Sequence, residues 1–439
     1  MNRLAICSVA VAVLAAGVAR AQPAVETVAL AHATVIDGTG AAPVADATVL
    51  IRGGRIVSLN SGNQAAPKGA RVEDLTGKWI IPGLIDAHVH ITSGSGDLAR
   101  YRELLSRLLL NGVTGLRDMA GDARVLGYLA REASLDAPGW PNVYYSALMA
   151  GPTFFYEDPR VPDTSRGVIL GGAPWLRAVD ETTDIRMAVA EAKGTGATGV
   201  KLYANLPAKL VAAIAAEAHR QGLLVWTHAT VFPAKPSDAV AAGANTISHT
   251  AYLVWEAAPH VPADYRSRAQ GDFVNIRPDN PRIVALLEQM KEHGTILDAT
   301  LRVFQQEGEH SAAGMGKGLL PWVYAVTRAA HTAGVLVDAG TDSQGLAGRQ
   351  ADAGAAVVDE MALLVEQCGF TPEAAIQAAT QVSAMAVGQA AQRGSIAPGM
   401  AADLVVLSAD PTADVRNVRK VVEVMKDGRV FRAAAKNAP

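Results

Sequence analysis

Along the middle of the chain, short runs of consecutive apolar residues alternate with longer, alanine-rich stretches of helical character. The runs are WIIPGLIDAHVH, GVTGLRD, NVYYSAL, TGVKLYA, LLVWTHA, TISHTAYL, GTILDAT and VLVDAGTD, eight in all between about Ile80 and Gly388. A strand buried on both faces loses the in-out alternation of a half-exposed strand and reads as one continuous apolar run. Eight such strands separated by helices predict an α/β fold, a (β/α)8 barrel of the TIM type. One helix start is explicit in the residues: Thr371 caps free amides, Pro372 suits the first helical position, and Glu373 meets the positive end of TPEAAIQAAT.

The two ends follow a different pattern. TVALAHATVID, a Gly38-Thr39-Gly40 turn, and ATVLIRGGRIVSL with Gly53-Gly54 at its centre alternate β-rich runs with turn residues. GSIAPGMAADLVVLS and VRKVVEVMKDGRVF repeat that grammar near the far end, with Asp427-Gly428 as the turn. The expected organisation is a barrel over 80–388 and a small composite β-sandwich domain built from 22–79 and 389–439. Three connections are longer than barrel loops usually are: Gly151 to Arg177, Val254 to Pro281 and Gln305 to Pro321. Each follows a strand, which predicts that each shapes a pocket at the catalytic face.

Composition narrows the class of partner. Half of the 439 residues are apolar and 18% are charged, enough for a large core, and a net charge of -3 supplies no basic field for nucleic acid. Small-molecule substrates are the expectation. The first residues have the form of an export signal: Arg3, an apolar core from Leu4 to Val18, and Ala19-Arg20-Ala21 before Gln22. That core is shorter than the roughly 20 residues of a spanning helix. Residues 1–21 are therefore expected to be cleaved, giving an exported periplasmic or secreted protein with no membrane attachment. Cys7 leaves with the signal, so Cys368 remains alone and no intrachain disulfide can form.

Candidate chemistry sits at the ends of the apolar runs. His88 and His90 close the first run, and residues two apart on a strand share a face, so both imidazoles can aim into the barrel and share a metal. Asp86 has the same parity and suggests a carboxylate that orients a ligand histidine. Lys201 stands inside GVKLYA, either snorkelling to the barrel mouth or desolvated beside metal cations, where a lowered pKa lets it react with carbon dioxide to form a bridging carbamate. His228 and His249 close the next two runs, as core histidines or as ligands. Asp342 closes the last run, a position where aspartate is usually catalytic, and Asp338 is an earlier and weaker candidate. Nitrogen and carboxylate donors without thiolate suit zinc, with manganese and cobalt as alternatives. His32, His219, His260, His293, His310 and His331 fall on the small domain, helices or loops and carry no expected role.

PGLIDAHVH at the first run, GVTGLRD at the second, TPEAAIQAAT and GSIAPGMAADLVVL together resemble the metal-dependent amidohydrolase superfamily, in the group of imidazolonepropionase-like and Xaa-Pro dipeptidase-type proteins. The resemblance covers nearly the whole chain after the leader. It implies that His88, His90 and Asp342 bind one divalent ion, that His228 and His249 bind a second, and that Lys201, as N6-carboxylysine, bridges them. It further implies hydrolysis of amide bonds by a metal-activated hydroxide, with Asp342 as general base and then general acid. Where relatives carry glycine soon after the fifth- and sixth-strand histidines, this chain has Ala229-Thr230 and Thr250-Ala251, so substrate contacts there are not transferable.

Two further residues bear on substrate. Tyr203 shares the parity of Lys201 nearer the mouth, and Arg302 follows GTILDAT; they are a packing ring and a solvated charge, or else a clamp for a substrate carboxylate. The second alternative predicts dipeptides or N-acyl amino acids as substrates. Competing expectations are a one-metal cyclic-amide hydrolase or deaminase of the same superfamily, phosphotriester hydrolysis on the same fold, and a non-catalytic exported binding protein. A homo-oligomer is compatible with the chain, but no interface signature is present.

Overall fold

A computed structural model describes residues 26–62, 66–93, 97–135, 139–310, 318–344 and 356–432. The expected export signal, with Cys7 and the Ala19-Arg20-Ala21 cleavage site, lies outside the described residues.

The chain opens with β1 (Thr27–Val35), β2 (Val44–Arg52), β3 (Arg55–Ser61), β4 (Arg71–Asp74) and β5 (Trp79–Pro82). The Gly53-Gly54 pair turns β2 into β3, both glycines in the left-handed region that side chains resist. The apolar run WIIPGLIDAHVH, expected to be one barrel strand, divides at Gly83: β5 joins the terminal sheet, and the barrel begins only with β6 (Leu84–Val89). Packing dictates the break. A Cβ on Gly83 would stand 2.2 Å from Thr114 Oγ1, so the chain can cross between the two sheets only where it has no side chain.

Seven more barrel strands follow: β7 (Val113–Asp118), β8 (Asn142–Ala150), then β11 (Gly199–Leu202), β12 (Leu224–His228), β13 (Thr246–Ser248), β14 (Ile296–Asp298) and β15 (Val337–Asp338). Between β8 and β11, β9 (Gly172–Ala173) and β10 (Leu176–Ala178) form a small hairpin, and β10 runs parallel to the end of β8. Successive barrel strands pair in parallel from β6 to β15. The ring closes where Val89 bridges Ser343 and where the amides of Ala87, His90 and Asp342 bond across the β6–β15 seam. The expected (β/α)8 barrel is the architecture observed. Helices such as Leu98–Leu110 and Ala208–Arg220 bury one apolar stripe against it, and Thr371 caps its helix through Ala374 N at 3.2 Å.

The C-terminal segment returns through β16 (Leu404–Leu407), β17 (Val421–Lys426) and β18 (Arg429–Phe431). β16 pairs antiparallel with β5, so both ends of the chain share one eight-stranded sheet. β1 pairs with β2 along one edge and divides its other edge between β4 and β5. Its own core, with Leu30, Val49, Ile80 and Leu404, is separate from the barrel core.

Two of the long connections hold short helices of their own, and the third lies partly outside the described residues. The segment after β8 holds short helices Pro152–Glu157 and Val161–Thr164, and the segment after β13 holds turns of 3-10 helix at Thr250–Glu256 and Tyr265–Gln270. These two insertions meet: Tyr265 Oη donates to Asp158 Oδ2 at 2.6 Å. Residues 305–310 are not loop, since they finish the helix Leu301–His310, and 311–317 lie outside the described residues.

Candidate metal centre and active site

The strand ends bring His88, His90, Lys201, His228, His249 and Asp342 to one end of the barrel. His88 lies within β6 with its ring fully buried, and His90, just past the end of that strand, faces the same space. His90 Nε2 lies 3.1 Å from Asp342 Oδ1, and His88 Nε2 lies 3.6 Å from the same oxygen. Ligands on a tetrahedral ion with bonds near 2.0–2.1 Å stand about 3.4 Å apart. The two separations bracket that value, and His88, His90 and Asp342 form a compact trio of donors. Lys201 Nζ is 3.3 Å from His88 Nε2, and the rings of His88, His249 and His228 follow one another at 4.9 Å steps.

Each buried imidazole is held by its Nδ1. His228 Nδ1–H donates to Thr230 O at 2.8 Å, His88 Nδ1 meets Asp298 Oδ2 at 2.6 Å, and His249 Nδ1 meets Thr300 Oγ1 at 2.9 Å. A ring fastened at Nδ1 keeps its Nε2 lone pair for a metal. Burial favours the neutral ligand form. It pushes His88 down to about 4, with Lys201 adding to the effect, takes His249 to about 3 and places His228 well below the usual range. The same burial brings the Lys201 ammonium down to about 8 against the pull of Asp342 and Asp298, so a reactive free amine is accessible near neutrality. Burial alone would raise Asp342, but His88, His90 and His249 outweigh it and hold this carboxyl well below the ordinary carboxylate range.

Backbone strain collects here. His249, Thr300 and Asp342 have φ of 77°, 51° and 52°, a region costly for side-chain-bearing residues and most of all for a β-branched threonine. His249 and Asp342 are candidate donors, and Thr300 holds the His249 ring. The donor set, its spacing and its tethered rings fit divalent metal.

A cavity of ≈ 180 Å³ opens beside the trio. Leu148, Phe154, Val161 and Leu176 form an apolar wall; His90, Lys201, Tyr203, His249 and Asp342 form the reactive side. Tyr203 stands where strand parity placed it, its ring 5.3 Å from Lys201 Nζ and 5.0 Å from the His228 ring.

Arg302 does not reach this cavity. Its helix starts with the amides of Leu301 and Arg302 on the buried Glu360 carboxylate, and that anchor turns the side chain toward Asp359 at 3.6 Å and Gln306 at 3.4 Å. It lines a separate polar pocket with Glu366 and Arg416. The cation at the cavity is instead Arg160, from the connection after β8, whose side chain is 54% exposed. Arg160 Nη2 donates to Tyr203 Oη at 3.1 Å, and its guanidinium is braced on Asp158 at 2.6 and 2.9 Å. Against the upward effect of burial, Arg160 and Tyr265 hold the Asp158 carboxyl down to about 2. Nothing in strand periodicity points to a loop arginine.

Asp86 also has a different task from the one expected. It accepts from the amides of His88 at 3.3 Å and Thr341 at 3.1 Å and from Thr341 Oγ1 at 2.8 Å, tying β6 to the residues after β15 rather than orienting a ring. The ring of His88 is oriented by Asp298, at the end of β14. The rule that picked Asp342, an aspartate closing a barrel strand, points equally to Asp298. Asp338 is buried beneath the site, 3.6 Å from Arg117 Nη2.

Residues 79–431 match the description Amidohydrolase family. Ochratoxinase of Aspergillus niger is 25% identical over 415 residues, covering 80% of this chain and 75% of that protein. Adenine deaminase of Lactiplantibacillus plantarum is 28% identical over 371 residues, 81% of this chain and 51% of the relative. Among solved structures, a Xaa-Pro dipeptidase with bound methionine superposes with a TM-score of 0.73 at 20% identity, covering 93% of this chain and all of that one. A. niger ochratoxinase superposes with a TM-score of 0.73 at 22% identity, over 95% and 99% of the two chains. The matched segment spans the barrel and its returning strands, with the donors of the site inside it, and the chain belongs to the amidohydrolase family of hydrolases.

Proposed function

We propose that this protein is an exported, two-metal hydrolase that cleaves the amide bond of dipeptides or N-acyl amino acids. The observation that carries the reading is the convergence of His88, His90, Lys201, His228, His249 and Asp342 at one barrel end, with three of the rings fastened at Nδ1. His88, His90 and Asp342 would hold one divalent ion, His228 and His249 a second, and carboxylated Lys201 would be shared. Nitrogen and oxygen donors without sulfur favour zinc. When bound, the pair supplies an activated hydroxide and polarises the scissile carbonyl.

This chain's residues carry the protons and the substrate. Asp342, kept ionised beside the histidines, accepts the proton released on attack and returns it to the departing amine. Arg160, steadied by Asp158, and Tyr203 present donors to a carboxylate next to the scissile amide. Leu148, Phe154, Val161 and Leu176 exclude water from the acyl or side-chain portion. The likeness to ochratoxinase and to a Xaa-Pro dipeptidase structure supports an amide substrate.

The compact trio alone supports a second reading, a one-metal deaminase or cyclic-amide hydrolase, in line with the adenine deaminase relative. One experiment separates the two. Zinc-loaded protein is assayed for metal per chain and screened against N-acyl amino acids, dipeptides, aminopurines and cyclic amides. Two ions and turnover of free-carboxylate amides are expected; one ion with turnover confined to aminopurines or cyclic amides would overturn the proposal.

A further inference from the structure

Arg117 lies at the end of β7, fully buried, and takes no part in the reaction described above. Its guanidinium is attached on every side. Nε donates to Ala87 O in β6, Nη1 donates to Thr246 Oγ1 in β13 at 3.0 Å, and Nη2 donates to Asp298 Oδ2 in β14 at 3.2 Å. The plane lies over the Trp226 ring of β12 at 4.9 Å. With the ion pair to Asp338 in β15 at 3.6 Å, one side chain thus links six of the eight barrel strands beneath the candidate donors.

Two of those links end on His88. Ala87 precedes it in the chain, so the Nε bond fixes the backbone from which His88 projects. Asp298 Oδ2 receives His88 Nδ1 at 2.6 Å and Ser248 Oγ at 2.7 Å as well as Arg117, so the arginine also fixes the carboxylate that orients the ring. A planar fork with donors at set angles can hold both contacts at once, and a flexible ammonium cannot.

From this geometry we infer that Arg117 is a positioning residue for the metal ligand His88, and that it sets how tightly the His88–His90–Asp342 trio retains its ion. A carboxylate aligned on Nδ1 raises the donor strength of the imidazole and fixes its direction, and loss of such an outer contact typically weakens metal binding 10- to 100-fold. A merely structural arginine would lower thermal stability and leave the metal affinity of the folded protein unchanged.

The inference rests on His88 being a ligand, so the experiment starts with the wild-type holoenzyme. Metal per chain and the chelator concentration for half-release are measured for wild type, Arg117→Met and Arg117→Lys, each checked for folding by circular dichroism and melting temperature. Arg117→Met is expected to release one ion at roughly 10- to 100-fold lower chelator strength, with kcat reduced more than KM and part of the activity restored by excess zinc. Arg117→Lys, which keeps the charge but not the fork, should fall between Met and wild type, and it carries the test if Arg117→Met does not fold. Wild-type release by a folded Arg117→Met or Arg117→Lys protein would overturn the inference. A wild-type protein that binds no metal would instead remove the reading of His88 as a ligand.

Discussion

The barrel and the terminal sheet each bury a knot of charge, and the two are built differently. In the terminal region two cations, Arg393 and Lys426, face two carboxylates, Asp403 and Asp427. Both oxygens of Asp403 are met, Oδ1 by the Asp427 amide at 2.7 Å and Oδ2 by Arg393, and Asp403 O also accepts the Gly83 amide. In the barrel a single cation, Arg117, faces two carboxylates, Asp298 and Asp338. Asp298 Oδ1 and both oxygens of Asp338 accept no N–H or hydroxyl among the described residues, and the two carboxyl groups share a hydrogen bond with each other. Burial and the neighbouring Asp298 raise Asp338 well above the ordinary range, so it stays protonated and the shortage of positive charge is relieved without a second cation. Asp298 remains ionised, because His88 and Arg117 outweigh the effect of burial on it.

Strain follows the same division. In the terminal region, Asp427 adopts positive φ in a tight turn with Gly428, and His32 and Asp46 do so while bonded to each other at 2.7 Å. These are residue types that tolerate the conformation. In the barrel it is imposed on Thr300 and on the candidate donors His249 and Asp342. The terminal knot meets both oxygens of Asp403, with Arg393 Nε left without a hydrogen-bond partner among the described residues, whereas the barrel sets one arginine against two carboxylates and strains the backbone around the candidate donors.

That contrast can be broken at either end. The largest effect is expected at Asp342. Asp342→Asn should keep the melting temperature near that of wild type while kcat falls by about 10²- to 10⁴-fold or more, and near-normal turnover would remove Asp342 as proton carrier. Lys201→Ala should lose at least one ion, by elemental analysis, and most activity, with short carboxylic acids restoring part of it by taking the place of the carbamate. Full metal content and activity in that variant would move the protein to one-metal chemistry.

In the terminal knot the expected result reverses. Arg393→Met leaves Asp403 and Asp427 short of a cation and should cost about 3–5 kcal/mol of stability in denaturant unfolding, with kcat and KM of the folded protein unchanged. A drop in kcat without loss of stability would mean that the two regions are not separable. The smallest effect tests the revised carboxylate clamp. Amidating the substrate carboxylate should reduce kcat/KM by about 1–3 kcal/mol of lost charged hydrogen bonding. Arg160→Ala should remove most of that discrimination, whereas Arg302→Ala should leave it intact, and the opposite pattern would return the role to Arg302.

What the sequence by itself determined is what local periodicity encodes. Eight apolar runs between helices specify the barrel, because a strand buried on both faces cannot alternate polar and apolar residues. Period-two parity put His88 with His90 and Lys201 with Tyr203, since side-chain direction along a strand depends only on neighbouring residues. The glycine and aspartate turns of the terminal hairpins were legible for the same reason. Only the tertiary structure decided what depends on a distant partner. Gly83 divides the first run because Thr114 occupies the space where a side chain would go. Arg302 turns away from the cavity because Glu360, 58 residues on, holds the start of its helix. Arg160 enters because Asp158 and Tyr265 bring two insertions together over Tyr203. Asp298 finds His88 across 210 positions of sequence, and Arg117 joins them from a third strand. Such contacts follow from barrel closure, which sets side by side residues whose separation along the chain carries no periodic signal.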